Sequence, residues 1–213
     1  MNEDYVNDLE NFVRRMLKPM RDLSFRVIIK SISGQSVLTF KKEQSLIKTL
    51  GECFEEAGDK INARGIKSNR ANEVGNKIEP FVKNALINHD LEADTPQNRD
   101  GRRISAGYPD MIFYYKKKPV YLECKTYNLD NINTTQRSFY FSPSKNFKIT
   151  QDAPHLLVSY QILKKSGRYF TSHWRLYSLE NLKVDLKHEF NQSNRKLYGN
   201  SSYLNLIEEG DIK

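Results

Sequence analysis

Cysteine and long apolar runs are scarce in this chain, and each shortage excludes a class of protein. The 213 residues include two cysteines, Cys53 and Cys124, which lie far apart and form no CxxC pair. Neither a disulfide framework nor a zinc site is therefore expected. No stretch approaches the ~18 apolar residues of a membrane span, and the acidic N-terminus lacks the apolar core of a signal peptide. We expect a cytoplasmic protein that is neither exported nor anchored in a membrane.

Several common catalytic motifs are also missing from the sequence. There is no glycine-rich loop of the kind that holds phosphate groups, so no nucleotide cofactor is expected. Neither a GxSxG nucleophile motif nor an HExxH zinc motif occurs. Four histidines are scattered without metal-ligand spacing, and we expect them to be structural or exposed: His89, His155, His173 and His188.

The sequence does have an excess of positive charge. Lys and Arg total 34 against 26 Asp and Glu, for a formal net charge of +8. Such a surface attracts polyanions and makes nucleic acid the leading partner, although charge alone also suits solubility or a membrane surface. The hydrophobic fraction of 38% is typical of a soluble globular protein. The length predicts a single domain over residues 1–213, with its core at about 71–177.

The spacing of apolar residues predicts a mixture of helices and strands. An amphipathic helix that packs on the core is predicted over residues 3 to about 23, because its apolar residues recur at helical spacing. Polar loops are expected at 90–103 and 126–148. The other predicted helices cover 43–63 and 71–89, and the predicted strands cover 25–32, 36–40, 110–115, 120–125, 155–163 and 169–177.

The predicted helix at 71–89 carries one acidic residue beside its apolar stripe. Val74 and Ile78 belong to the stripe that faces the core, at about 100° per residue. Glu79 falls on a flank of this stripe, whereas Glu73 falls on the far side. Glu79 is therefore the better candidate to point into a site.

The strands around residues 110–125 carry the candidate chemistry. With Lys116 to Pro119 as a four-residue loop, Tyr115 pairs with Val120, and Asp110 lies opposite Lys125. Because side chains alternate along a strand, Asp110, Glu123 and Lys125 are predicted to share one face of the hairpin. The apolar residues between them are predicted to form the core face: Met111, Phe113, Val120, Leu122 and Cys124.

This clustering brings two carboxylates together, and their repulsion needs relief. A divalent cation provides it, and Mg²⁺ binds to one or two carboxylates together with water and phosphate oxygens. Lys125 beside such a site is suited to orient or help deprotonate an attacking water and to offset charge on a transition state. The residues therefore favour phosphodiester hydrolysis. The competing interpretation is a surface hairpin with an ordinary Glu and Lys.

The residues Pro109-Asp110, followed after twelve residues by Glu123-Cys124-Lys125, resemble the PD-(D/E)xK nuclease signature. Type II restriction endonucleases are among its members. The resemblance covers residues 71–125 and implies an α/β fold, a restriction-endonuclease-like α/β/α core with a central mixed β-sheet flanked by helices. It also implies Mg²⁺ as cofactor, Asp110 and Glu123 as metal ligands, and Lys125 as the residue that acts on water. A fourth catalytic role falls on Glu79.

The function that this resemblance implies is a type II restriction endonuclease. Such an enzyme cuts double-stranded DNA at a short sequence by in-line attack of water and leaves 5′-phosphate and 3′-hydroxyl ends. A homodimer is expected, because two-fold symmetry matches palindromic DNA. The alternatives are a structure-specific repair or junction-resolving nuclease of the same fold and a non-catalytic DNA-binding module.

Two polar segments are candidates for DNA contact, with a plain exposed loop as the competing interpretation. The segment 134–145 offers Arg137, Ser144 and Lys145, which suit phosphate oxygens or base edges. The loop at 90–103 offers Arg102 and Arg103, together with Arg99. The lysines at 116–118 are more typical of a solvated turn than of a phosphate site.

Overall fold

A computed structural model gives the fold of the protein and describes residues 3–69, 72–135, 138–143, 146–188, 193 and 207. Contacts divide the chain into two compact units, Met1–Asp22 with Asp185–Lys213, and Leu23–Val184. The described part of the chain includes no helix with the length and hydropathy of a membrane span. The helices are α1 (Glu3–Met16), α2 (Phe25–Ser33), α3 (Gln44–Arg64) and α4 (Asn72–Asn88), with a short 3₁₀ helix at Leu129–Asn131. The strands are β1 (Met20–Ser24), β2 (Ile66–Lys67), β3 (Glu92–Asp94), β4 (Met111–Tyr115), β5 (Lys118–Tyr127), β6 (His155–Lys165), β7 (Arg168–Ser178) and β8 (Lys183–Leu186).

Six of these strands form one mixed sheet in the larger unit. The order is β2-β7-β6-β5-β4-β3, with β5 and β6 parallel and the other neighbours antiparallel. Strands β1 and β8 form a separate two-stranded sheet. Helices flank the six-stranded sheet on both faces, so the predicted α/β fold with a central mixed sheet is confirmed.

The two faces of the sheet pack against different partners. Helices α3 and α4 cover one face, where the apolar side chains of β4 to β7 form the larger core, including Phe54, Val82, Phe113, Leu122 and Val158. On the other face a smaller core joins residues of α2 to strand residues and to the segment before β6: Phe25, Ile29, Ile112, Tyr121 and Ile149. Each strand in the middle of the sheet therefore has two distinct sides.

The predicted strands at 25–32 and 36–40 are wrong. Residues 25–33 form α2, whose buried residues Phe25, Ile29 and Ser33 recur every four positions, as one face of a helix requires. Gly34 ends the helix with φ of 78°, a left-handed conformation that suits glycine. From 36 to 40, the described pairing is a single bridge between Val37 and Ala153.

Two other predictions need correction. The helix at the N-terminus forms, but its apolar stripe is exposed rather than packed on a core; Phe12, for example, is 59% exposed. The loop predicted at 90–103 contains the short edge strand β3, whose polar sequence Glu92-Ala93-Asp94 gives no apolar alternation to read. The predicted helices at 43–63 and 71–89 are confirmed by α3 and α4.

Candidate active site

The hairpin β4–β5 carries the three residues of the predicted catalytic motif. Its loop has two residues rather than four: Lys116 and Lys117 both have positive φ, and Tyr115 pairs with Lys118. Two consecutive positive φ values match the tight turn that follows the twist of a hairpin. The predicted pairing is therefore wrong by two residues.

An error of two residues leaves every side chain on its predicted face, because the side-chain period of a strand is two. Asp110, immediately before β4, consequently lies beside Glu123 rather than opposite Lys125. The five apolar residues predicted for the other face all belong to the core under α3 and α4: Met111, Phe113, Val120, Leu122 and Cys124.

Asp110 and Glu123 are held together by reciprocal hydrogen bonds. The backbone N–H of Cys124 donates to Oδ2 of Asp110 at 2.8 Å, and the backbone N–H of Asp110 donates to Oε2 of Glu123 at 3.2 Å. Each carboxylate is thus fixed by the strand that carries the other. Backbone donors orient both groups before any ligand binds, which is the preorganisation that a reactive site requires.

Glu123 lies deep in the site and is paired with Lys125. Its side chain is 3% exposed, and Lys125 Nζ donates to its Oε1. Burial and the neighbouring charge of Asp110 raise the pKa of Glu123 to about 7. Burial disfavours the Lys125 ammonium, but the Glu123 carboxylate outweighs it and holds the pKa of Lys125 above its ordinary value. The attraction between the Glu123 carboxylate and the Lys125 ammonium therefore offsets the cost of burying the two charges.

Glu79 of α4 reaches the same group of charges. Burial and then the charge of Asp110 raise its pKa to about 7, and the ammonium of Lys125 acts in the opposite direction. Glu73, one and a half turns earlier, instead accepts a hydrogen bond from Ser68 Oγ at 2.7 Å. The structure thus brings Glu79 toward Asp110 and Lys125, and it gives Glu73 a different partner.

Lys148 is a second cation at this site that the sequence analysis did not single out. It is 2% exposed, and its Nζ lies 3.5 Å from the carbonyl oxygen of Ser105. Burial lowers the pKa of Lys148, while the carboxylates of Asp110, Glu123 and Glu79 oppose that shift. A lysine is rarely buried without compensating charge. The signal available in the sequence was its position between two apolar residues, Phe147 and Ile149, both of which are buried.

A buried aromatic cluster adjoins the residues just before Asp110. Tyr108 OH and Nδ1 of His155 are 2.6 Å apart, and both rings pack against Phe25. Phe139 and Phe141 join this cluster, with ring centroids 5.5 and 5.6 Å from that of Tyr108. The segment 138–143 is therefore anchored close to the site. The three candidate DNA contacts of the longer segment 134–145, which are Arg137, Ser144 and Lys145, lie outside the described residues.

The other candidate DNA contacts lie near the β3 edge of the sheet, next to β4. Arg103 forms an ion pair with Asp94 of the edge strand β3, and its side chain is more than half exposed. Arg102 is exposed, and its backbone N–H donates to Oδ1 of Asn98. At the hairpin tip, Lys116 pairs with Glu43, which fits a surface turn.

The donor set of the site fits a magnesium ion. Among the described residues, no group of three or more His, Cys, Asp or Glu side chains is placed to hold a metal ion. Asp110 and Glu123, whose carboxylates are held side by side by backbone N–H donors, would supply the protein ligands. Hard carboxylate oxygens in this small number suit Mg²⁺, which completes its shell with water and phosphate oxygens. Burial and then the neighbouring charge of Asp110 raise the pKa of Glu123, and a divalent cation bound between the two carboxylates would offset both effects.

Comparison with known proteins adds evidence that is independent of this geometry. A family model described as the type II restriction enzyme MjaV family matches residues 19–201. A relative from Methanocaldococcus jannaschii, named type II restriction enzyme MjaV, is 37% identical over 232 aligned positions, which cover 100% of this chain and 99% of the relative. The predicted relationship to type II restriction endonucleases is confirmed, and it favours a restriction enzyme over a repair nuclease or a non-catalytic module. The chain belongs to the type II restriction enzyme MjaV family.

Proposed function

We propose that this protein is a Mg²⁺-dependent endonuclease that hydrolyses double-stranded DNA at a short specific sequence and leaves 5′-phosphate and 3′-hydroxyl ends. The observation that carries the proposal is the juxtaposition of Asp110, Glu123 and Lys125 on one face of the β4–β5 hairpin. The family match supports a restriction enzyme as the setting for this chemistry.

Asp110 and Glu123 would hold the cation. Their carboxylates are already fixed by backbone N–H donors, so binding costs little reorganisation. When bound, Mg²⁺ supplies an acidified water and neutralises charge on the scissile phosphate. Both acidic residues therefore act as ligands and not as acids.

Lys125 and Lys148 would act on the phosphate side of the site. The Lys125 ammonium, held by Glu123, is placed to orient the attacking water and to stabilise the charge that grows on the phosphate oxygens. Lys148 adds a buried positive charge that faces the same carboxylates. Glu79, from α4, is the third carboxylate of the site and would help to position the attacking water. The site thus groups three carboxylates with two ammonium groups.

We also propose that the protein acts as a homodimer. Two copies related by a two-fold axis would present one site to each strand of a palindromic sequence. Light scattering is expected to give about twice the chain mass of 24.9 kDa; a monomer that nevertheless cuts both strands would contradict the dimer.

The nuclease proposal is tested by incubating the purified protein with plasmid DNA and MgCl₂. Discrete fragments are expected, and run-off sequencing should find one recurring sequence at their ends. Ends that ligate directly, and that accept a 5′ label only after phosphatase treatment, would carry a 5′-phosphate.

The variant Asp110→Asn should abolish cleavage, because it removes a ligand charge. Asp130→Asn is the matched control, since Asp130 is an exposed acid just beyond β5. Wild-type protein that leaves the plasmid intact in Mg²⁺, or an Asp110→Asn variant that cuts normally, would contradict the proposal.

A further inference from the structure

The sheet face that carries the candidate active site is covered over one part and open over another. Near the start of β5 and β6, Tyr121 and His155 are buried beneath α2 and the aromatic cluster. Further along the same face the side chains become polar, and several are exposed. Glu123 lies at the boundary between these two parts. The open part therefore begins where the candidate catalytic residues are.

Two rows of side chains extend across the open part. The first row joins Lys125 of β5 to Ser159 of β6 and Arg175 of β7, which are direct partners in the sheet. The second row, two residues further along each strand, joins Tyr127, Gln161 and His173. Partners in register point to the same side of a sheet, so all six residues share the face of Glu123. These six residues form the polar strip.

Contacts within the polar strip hold Arg175 in place. Its guanidinium lies over the ring of Tyr127, 5.2 Å from the centroid, and Nη1 is 3.5 Å from the hydroxyl of Tyr177. The Tyr127 hydroxyl lies 3.5 Å from Oε1 of Gln161. Among the described residues, Arg175 forms no ion pair with a carboxylate. A guanidinium that is stacked on a ring but has no acidic partner is prepared to bind an anion.

The charge and size of the polar strip match a DNA backbone. Its six residues include Lys125 and Arg175 and no carboxylate. Neighbouring strands are about 4.8 Å apart, so the row from Lys125 to Arg175 spans about 10 Å. A DNA strand carries one charge for about every 3.4 Å of helix axis, so this row extends past roughly three phosphates. The hydroxyl of Ser159 between the two cations and the polar groups of the second row can donate to phosphate or sugar oxygens.

We infer that the polar strip is the surface on which one strand of the DNA duplex lies as it leaves the active site, with Arg175 bound to a phosphate. The inference rests on the proposed function, because it takes Lys125 as the point where the scissile phosphate lies. Arg175 contributes affinity in this arrangement, and its contact carries no sequence information of its own. Arg175 lies on β7, outside the two segments proposed for DNA binding from the sequence, 134–145 and 90–103.

The test measures DNA binding without cleavage. Fluorescence polarisation with a labelled mixed-sequence duplex, in EDTA and at several KCl concentrations, gives both the affinity and its dependence on salt. Arg175→Gln is expected to weaken binding about tenfold and to make the salt slope shallower by about one. Lys48→Gln is the matched control: it removes one exposed positive charge from α3, which packs on the opposite sheet face. It should leave binding close to that of the wild type.

Two further variants guard against an unfolding artefact. Arg175→Lys keeps the charge and should retain the wild-type salt slope, whereas His173→Lys adds a charge to the polar strip and should steepen the slope. Equal affinity and slope in Arg175→Gln and Lys48→Gln, or an unchanged slope in His173→Lys, would overturn the inference. The proposed function is tested separately, because wild-type protein that does not cut DNA in Mg²⁺ would contradict it. The polarisation data would still decide whether the polar strip binds the duplex.

Discussion

The two sides of strand β5 contrast sharply over six consecutive residues. Val120, Leu122 and Cys124 point into the core beneath α3 and α4, whereas Glu123 and Lys125 point toward the candidate active site. The first side is apolar and gains stability from burial. The second side gathers charges whose pKa values are shifted by burial and by each other. One strand therefore carries an apolar face whose burial stabilises the fold and a charged face whose burial destabilises it. The packing of the apolar face fixes the position of the charged side chains.

The largest effect expected on the charged side comes from Lys125→Met. Cleavage should fall about a thousandfold, because the transition state loses its nearest ammonium. Single-turnover cleavage of plasmid DNA in MgCl₂ measures the effect. Lys117→Met is the matched control, since Lys117 lies at the exposed tip of the same hairpin. Cleavage by Lys125→Met at the wild-type rate would remove Lys125 from the site.

A substitution on the core side of β5 should lower the free energy of unfolding. Leu122→Ala is expected to lower the free energy of unfolding by about 3 kcal/mol, because it opens a cavity in a fully buried position. Urea denaturation followed by circular dichroism measures this loss. Leu129→Ala, at an exposed leucine just beyond β5, should change stability far less. Equal losses in the two variants would contradict the division between the two sides.

The covered part of the site face provides a pH prediction. Burial lowers the pKa of His155 from 6.5 to about 3, so the folded protein binds this proton less readily than the unfolded chain does. The free energy of unfolding should therefore fall by about 1.4 kcal/mol for each pH unit lost from about 6.5 toward 3 through this group alone. His155→Gln should make the pH dependence of urea unfolding shallower by that amount. Parallel curves for the two proteins would show that His155 is protonated without cost.

The smallest expected effect is that of Lys148→Met. Cleavage should fall about tenfold, because one of the charges that face the phosphate is lost. The melting temperature should not fall, since burial already disfavours the Lys148 ammonium. Single-turnover cleavage and thermal unfolding, compared with Lys165→Met at the exposed end of β6, separate these effects. A large loss of stability with normal cleavage would make Lys148 a structural residue.

The sequence was sufficient to predict the grouping of Asp110, Glu123 and Lys125 because alternation along strands is insensitive to an even error in pairing. The predicted loop had four residues, Lys116 to Pro119. The observed turn has two, because Lys116 and Lys117 both adopt positive φ. The pairing shifted by two residues and every side chain kept its face. An error of one residue would have separated the three groups.

Helix α2 and strand β3 show where local pattern was insufficient. The run Val27-Ile28-Ile29 has the β-branched composition of a strand, yet tertiary packing selects the helix through Phe25 and Ile29. Strand β3 has no apolar alternation that would predict a strand. It forms because its backbone pairs with that of β4. Both errors concern interactions between distant parts of the chain.

The missed site residues have the same origin. Lys148 comes from a segment that follows β5, and its neighbours Phe147 and Ile149 pack in the smaller core near the carboxylates. Arg175 reaches the face of Lys125 only through the order β5-β6-β7 of the sheet. The spacing of residues within one hairpin cannot predict the position of Lys148 or of Arg175, because these positions depend on strand order and on long-range packing.

The two-residue loop between β4 and β5 also bears on the order of folding. Asp110 and Lys125 are brought together by a short hairpin, whose closure costs little chain entropy and takes microseconds. The polar strip instead needs the parallel pairing of β5 with β6, which must close the long connection between Tyr127 and His155. We therefore expect Asp110, Glu123 and Lys125 to meet early in folding and the polar strip to assemble later, as the sheet is completed.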